Sequence, residues 1–142
     1  MMKRLLVIVL LVTCGLAYEA SAQVAIVTHS SVDVSELDTQ KLIDIFVLET
    51  KNWSDGGRIT PVELKGKSDI KTAFYDYIGR SASEIKRERL RIVLAGDGDP
   101  PIPAKSSEEA LQKISTTPGA IGYLPLQLAS SGDVKVIHVI QN

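Results

Sequence analysis

Short runs of β-branched residues alternate with helix-start signals along most of this chain. Four such runs predict strands, because Val, Ile and Thr favour extended backbone. They lie at 24–28, 59–63, 120–123 and 134–140. A chain of 142 residues has room for one ordinary domain. The alternation therefore predicts one α/β domain, with a mixed sheet of about four or five strands flanked by helices.

Short polar side chains mark the helix starts. The predicted N-cap residues are Asp38, Ser81 and Ser106. The two serines each have a Glu three residues later, which is the spacing of a capping box. Gly96 stands where the second of these helices is expected to end. The Pro-rich segment 97–103 cannot be helical, so we expect an ordered loop or an extended connection there.

The first 22 residues have the order of a secretory signal peptide. Lys3 and Arg4 precede an apolar run at 5–12, and the small residues Ala20-Ser21-Ala22 follow it. The apolar run is shorter than the roughly 20 residues that a membrane-spanning helix needs. We therefore expect cleavage after Ala22, a domain at 23–142 without a stable membrane span, and a periplasmic or secreted location. Lipid attachment at Cys14 is the less favoured alternative, because Thr13 precedes it.

Charge and cysteine content exclude several classes of function. The formal charge of −1 becomes −2 once the signal peptide is removed, so no basic surface for nucleic acid is expected. The single cysteine rules out an internal disulfide framework and a multi-thiolate metal site. His29 and His138 form no zinc-binding motif. We expect no metal and no cofactor.

Several motifs in the mature segment together resemble a known family. In order, they are Leu37-Asp38-x3-Leu42-x2-Ile45-Phe46, Asn52-Trp53-x-Asp55-Gly56, Ile59-x-Pro61-Val62, Gly96-x-Gly98-x-Pro100-Pro101 and Pro118-Gly119-Ala120-Ile121-Gly122-Tyr123. This order is similar to that of the phosphate-type periplasmic solute-binding proteins of ABC importers, with their PBP-like domain. Those proteins have two α/β lobes that close on an anion, and they are about twice as long. The resemblance implies a single lobe, a small oxyanion such as phosphate as ligand, and an ABC permease as partner.

The candidate ligand-binding loop consists of Lys65, Gly66, Lys67 and Ser68. It joins a predicted strand to a helix N-terminus, where unpaired N–H groups and the helix dipole favour an anion. The similar family has an Arg followed by Ser-Gly-Thr at this point. Ser68 matches the serine, whereas the other three positions differ, being Leu64, Asp69 and Ile70. A structural alternative is that Ser68 is only an N-cap and Asp69 only a favourable first-turn acid.

The Asp69 carboxylate argues against strong anion binding. About 5 Å from a bound anion, it would repel that anion by about 3 kcal/mol at an effective dielectric near 20. Lys65 and Lys67 would offset this repulsion. The lysine-containing loop is not a nucleotide P-loop, because that motif needs a glycine where Pro61 stands.

Other residues have both a functional and a structural interpretation. His29 and Ser30 follow the first strand and are candidate ligand donors at the strand's C-terminal edge, or else ordinary loop residues. Trp53 is a candidate stacking ring or a core residue that anchors a turn. The basic run at 86–91 predicts a solvated helix face, although Arg89 stands where similar proteins often have an aromatic residue.

Three hypotheses of function follow. The first is an exported solute-binding protein that holds phosphate or a similar oxyanion for an ABC importer. The second is a ligand-free single-lobe adaptor or sensor that acts through contacts with an envelope protein. The third is a homodimer that rebuilds a two-lobed cleft. An enzyme is not expected, because no nucleophile elbow or assembled catalytic group is found in the motifs.

Overall fold

The computed structural model describes residues 23–141. The predicted signal peptide and Cys14 lie outside these residues. The elements in chain order are β1 (Val24–Thr28), α1 (Thr39–Phe46), β2 (Thr60–Leu64), α2 (Asp69–Ile78), α3 (Ala82–Leu94), β3 (Ile102–Ala104), α4 (Ser107–Thr116), β4 (Ala120–Pro125), α5 (Leu126–Ser131) and β5 (Lys135–Ile140).

The five strands form one mixed sheet in the order β3-β2-β4-β1-β5. β2 is parallel to both of its neighbours, and β1 is antiparallel to both of its neighbours. The predicted α/β class and mixed sheet are confirmed. The extended connection predicted at 97–103 contains the start of β3, which forms one edge of the sheet.

Helices cover both faces of the sheet. Tyr123 stacks on Phe74 of α2 at a centroid distance of 4.3 Å and lies 6.3 Å from Phe46 of α1. The next residue along the strand, Gly122, faces Ile114 of α4, whose Cδ1 lies 2.6 Å from the position that a Cβ would take. Because neighbouring residues of a strand point to opposite faces, α1 and α2 lie on one side and α4 on the other.

The predicted N-caps form as expected. The side chains of Asp38, Ser81 and Ser106 each accept a hydrogen bond from the backbone N–H three residues later. The second half of each capping box does not form. Glu84 binds Arg80, and Glu109 accepts from the backbone N–H of Lys105 rather than from that of its cap residue.

Trp53 is a core residue that anchors a turn, which was the second of its two interpretations. Trp53 is 8% exposed, and its Nε1 donates to the carbonyl of Gly119 at 3.0 Å. Gly119 has a φ of 78°, and a Cβ there would overlap the carbonyl oxygen of Arg58. The glycine of the Pro118-Gly119 motif is therefore needed for close backbone approach.

Candidate functional site

The Lys65–Ser68 loop leads directly from β2 into the N-terminus of α2. Gly66 supports the turn with a φ of 74°. The Ser68 hydroxyl accepts from the backbone N–H of Lys71 at 3.2 Å, so the serine caps the helix. Capping occupies one of the orphan N–H groups of this first turn and leaves those of residues 69 and 70 for another acceptor. The predicted strand-to-helix junction is therefore present.

A second helix N-terminus begins beside this loop. The backbone N–H of Lys65 donates to the carbonyl of Ala104 at 2.8 Å, which joins the loop to the end of β3. Ser106 then caps α4 by accepting from Glu109 at 3.1 Å. Because β2 and β3 are parallel, both helices start at the same edge of the sheet. Sequence reasoning missed this contribution of the 105–106 segment, since strand pairing alone brings it next to Lys65.

The charges at this edge favour an anion. Lys65, Lys67 and Lys105 are all exposed, and none of them takes part in an ion pair among residues 23–141. The opposing charges are the exposed Asp69 in the first turn of α2 and Glu108 and Glu109 in the first turn of α4, of which Glu109 is paired with Lys113 at 2.7 Å. Asp69 lies nearest to Ser68. In a water-like dielectric its repulsion of an anion about 5 Å away is only about 1 kcal/mol, which is less than the value expected for a partly buried carboxylate.

His29 and Ser30 lie at the other end of the strands, away from the Lys65–Ser68 loop. The backbone N–H of His29 donates to the carbonyl of Ala120, and Ala120 pairs with Thr60 at the start of β2. The Lys65–Ser68 loop follows the end of the same strand, which is about 13 Å away at 3.3 Å per residue. The antiparallel direction of β1 causes this separation. The structure therefore does not bring these two candidate residues to the loop.

His29 has a local partner instead. Its Nδ1 lies 2.8 Å from the hydroxyl of Ser31 and accepts from the backbone N–H of that residue at 3.0 Å. The other histidine, His138, stacks on Tyr77 at a centroid distance of 5.0 Å. Both arrangements belong to local packing of the fold.

A largely buried carboxylate lies at the end of β2, just before the candidate loop. Glu63 is the fourth residue of β2, and its side chain is 12% exposed. Its two oxygens accept from the hydroxyls of Tyr75 at 2.9 Å and Tyr123 at 2.8 Å. Lys71 of α2 and Arg89 of α3 approach the same carboxylate at 3.5 Å and 3.6 Å. We call these five residues the Glu63 cluster; it joins the sheet to two helices and carries two cations against one carboxylate.

The predicted solvated helix face at 86–91 is wrong for Arg89, which belongs to the Glu63 cluster. Arg89 is not part of a solvated face, because its side chain is 12% exposed and turned toward Glu63. Its Nη1 also lies 3.4 Å from the carbonyl oxygen of Phe46. Arg89 thus makes a largely buried ionic contact at this position. The sequence does contain one signal for this contact: Glu63 lies in a predicted strand, and a carboxylate that is buried there needs a charged or hydrogen-bonding partner.

Lys71 ties the cluster to the candidate loop. Its Nζ donates to the carbonyl of Leu64 at 2.8 Å, immediately before the loop begins. Burial and the neighbouring Glu63 carboxylate raise the pKa of both Tyr75 and Tyr123 well above the ordinary value, so both hydroxyls stay protonated and donate. The β2 end of the loop is therefore held by two neutral tyrosine hydroxyls and two cations that all contact Glu63.

The described part of the chain contains neither a metal-binding cluster nor a membrane-spanning helix. Within residues 23–141, no three His, Asp or Glu side chains are grouped as a metal site. None of the helices in that span is long and apolar enough to cross a bilayer.

Comparison with known proteins shows the fold. No family model matches the sequence. A protein from Clostridium perfringens, assigned as a phosphate ABC transporter substrate-binding protein and solved with bound phosphate, matches with a TM-score of 0.64 and 20% identity over 82% of this chain and 44% of its own. An ABC-type phosphate transport receptor from Vibrio cholerae matches with a TM-score of 0.64 and 17% identity over 82% of this chain and 46% of its own.

A third solved structure has the same fold. PstS from Borrelia burgdorferi matches with a TM-score of 0.55 and 19% identity, over 77% of this chain and 42% of its own. The chain thus spans less than half the length of each of these solved proteins. It has the fold of part of a phosphate substrate-binding protein. The matched share is what one lobe of a two-lobed protein would give, and the predicted single-lobe fold is confirmed.

Proposed function

We propose that this protein is an exported, single-lobe solute-binding domain that holds a small oxyanion such as phosphate. The observation that carries the proposal is the meeting of two capped helix N-termini at one sheet edge, with three exposed lysines around them. The proposed ligand-binding groups are Lys65, Gly66, Lys67 and Ser68, together with Lys105. The fold shared with proteins that handle phosphate supports this choice.

The binding is expected to be weak. The bidentate arginine of the similar family is replaced by Leu64, and Ile70 supplies no hydroxyl. Exposed lysines about 4 Å from an anion each contribute about 1 kcal/mol in water. Loss of one of them should therefore weaken binding about fivefold. Binding should also fall steeply with added salt, because exposed charges are screened.

Calorimetric titration of residues 23–142 with phosphate, sulfate and molybdate at low ionic strength tests the proposal. We expect heat with at least one oxyanion, and about fivefold weaker binding in each of Lys65→Ala, Lys67→Ala and Lys105→Ala. Lys51→Ala is the matched control, because Lys51 is exposed at the other end of β2, where its carbonyl accepts from Ile59. Silence with all three anions, or equal loss in the Lys51 variant, contradicts the proposal.

The cellular context belongs to the same proposal. The signal-peptide pattern at 1–22 supports export, and the shared fold supports delivery of the anion to an ABC permease. We infer a binding protein rather than an enzyme, since the similar structures are transport-binding proteins. The homodimer stays a prediction, and sedimentation at micromolar concentration tests it.

A second candidate function is favoured by the outer face of α3. Leu90 is 51% exposed and Leu94 is 77% exposed, and they lie one helical turn apart. This pair supports an adaptor that contacts an envelope protein. If so, a partner recovered from an envelope extract with the wild-type domain should be lost with Leu90→Ser/Leu94→Ser. Recovery that is unchanged by this double substitution contradicts the adaptor function.

A further inference from the structure

A groove runs along α2 from the candidate loop to the turn before α3. Its volume is about 580 Å³, which lies within the range of small-molecule sites. Lys67, Ser68 and Lys71 line one end, and Asp76 and Arg80 line the other. Tyr75 lines the groove between them. The groove therefore extends well beyond the space that one small oxyanion at the loop would fill.

The end near the loop is positively charged. Lys67 is exposed, and Lys71 lies over the Glu63 carboxylate at 3.5 Å. Glu63 is shared between Lys71 and Arg89, so it neutralises only one of these two cations. The N-terminus of α2 adds a partial positive charge at the same end, and the exposed Asp69 of its first turn partly opposes it. A phosphate group in this part of the groove would meet both lysines and the Ser68 turn.

The other end is negatively charged. Asp76 is exposed and takes part in none of the ion pairs found in residues 23–141. Arg80 does not compensate it, because its guanidinium is bound by Glu84 at 3.0 Å and by Glu88. The C-terminus of α2 and the N-terminus of α3 both lie at this end, so their partial charges oppose each other there and Asp76 supplies the negative charge. The groove thus has an exposed cation, Lys67, at one end and an exposed carboxylate, Asp76, at the other.

We propose that this groove binds a zwitterionic organic phosphate, with its phosphate at Lys67, Ser68 and Lys71 and its ammonium group at Asp76. Lys71 and Asp76 both line the groove and are five residues apart, about 7.5 Å along the helix axis and about 140° around it, so an alkyl chain of a few carbons joins the two charged groups of the ligand. The phosphate end rests on the proposed function. The ammonium end is independent of it and determines which phosphate compounds are preferred.

A matched pair of ligands tests the ammonium end. 3-Aminopropyl phosphate and n-propyl phosphate differ in the ammonium group alone. An ammonium about 5 Å from the exposed Asp76 carboxylate should strengthen binding about fourfold in a water-like dielectric. We therefore expect calorimetry to give about fourfold tighter binding of the aminopropyl compound by the wild-type domain. The preference should disappear in Asp76→Asn and persist in Asp133→Asn, a control at another exposed aspartate.

The outcomes separate this inference from the proposed function. If inorganic phosphate and both organic phosphates bind equally well, the groove inference is overturned and the oxyanion site is retained. If no phosphate compound binds, the inference fails, and the proposed function fails with it only if sulfate and molybdate also give no heat. A preference that survives in Asp76→Asn also overturns the inference. Lys67→Ala should weaken both organic phosphates by the same factor.

The same chemistry occurs in free aminoalkyl phosphates and in an ethanolamine phospholipid headgroup. Co-sedimentation with phosphatidylcholine vesicles, with and without phosphatidylethanolamine, distinguishes these two sources. Co-sedimentation that needs phosphatidylethanolamine and is lost in Asp76→Asn assigns the headgroup as the ligand. Binding of the soluble compounds with no co-sedimentation assigns the free phosphate ester.

Discussion

Replacement of Glu63 by glutamine probes how the sheet, α2 and α3 are held together beneath the candidate loop. The substitution keeps the size of the side chain and removes its charge. The amide oxygen can still accept a hydrogen bond from a tyrosine hydroxyl. The two cations that approach at 3.5 Å and 3.6 Å lose their only carboxylate partner among residues 23–141.

The magnitude follows from the burial of those cations. The side chains of Lys71 and Arg89 are 19% and 12% exposed, so water replaces the lost carboxylate only in part. Removal of one partner from a buried ion pair costs about 3–5 kcal/mol. Both cations keep a backbone carbonyl nearby, those of Leu64 and Phe46. We therefore expect the low end, a loss of about 3 kcal/mol in the free energy of unfolding.

Urea unfolding of residues 23–142, followed by Trp53 fluorescence and by circular dichroism, measures this loss. For a domain of this size, about 3 kcal/mol corresponds to a decrease in melting temperature of about 10 °C. Glu84→Gln is the matched control, because Glu84 is 49% exposed and its pair with Arg80 lies at the surface. Equal urea midpoints for the Glu63 and Glu84 variants would refute the assignment of Glu63 as a buried anchor.

Two further predictions concern the folded state. Burial and the Glu63 carboxylate hold the pKa values of Tyr75 and Tyr123 above the ordinary value, so the unfolded chain releases these two protons first as the pH increases. The contribution of these two tyrosines to stability is therefore constant below about pH 10 and falls above it, with a slope approaching roughly 2.7 kcal/mol per pH unit. Ionisation of every tyrosine near pH 10 in the folded protein contradicts this. Gly119→Ala should lower the free energy of unfolding by roughly 4 kcal/mol or more, because the new Cβ would overlap the carbonyl of Arg58. Gly79→Ala, at a similar φ of 73° with open space around it, should lower it by about 1 kcal/mol. Equal thermal stability of these two variants would show that the close approach at Gly119 does not matter.

The sequence predicted most of the regular elements because their signals are local. The strand at Val24–Thr28 was predicted with the observed bounds, and the Asp38 cap begins α1 as expected. α5 was not predicted, since its N-cap is Pro125, which offers no side-chain hydrogen bond. β3 was predicted only as an extended connection, because three residues carry little periodic signal.

The candidate site was predictable only in its contiguous part. Lys65 to Ser68 are neighbours in sequence, and a strand followed by a cap residue is enough to place them at a helix N-terminus. Lys105 joins them through the pairing of β2 with β3, which local patterns do not report. His29 was expected near a ligand at its strand's C-terminal edge, but the direction of β1 places that edge beside the starts of β2 and β4.

Amino-acid order by itself determined the α/β class, the helix caps and the apolar faces, because hydrogen bonding and side-chain periodicity act over three or four residues. The tertiary structure alone decided which distant residues share one environment. Glu63, Arg89 and Tyr123 come from three separate elements, and their contacts exist only after the sheet and helices have packed. Burial of that carboxylate requires partners from several elements at once, which is why no short segment of the chain predicts it.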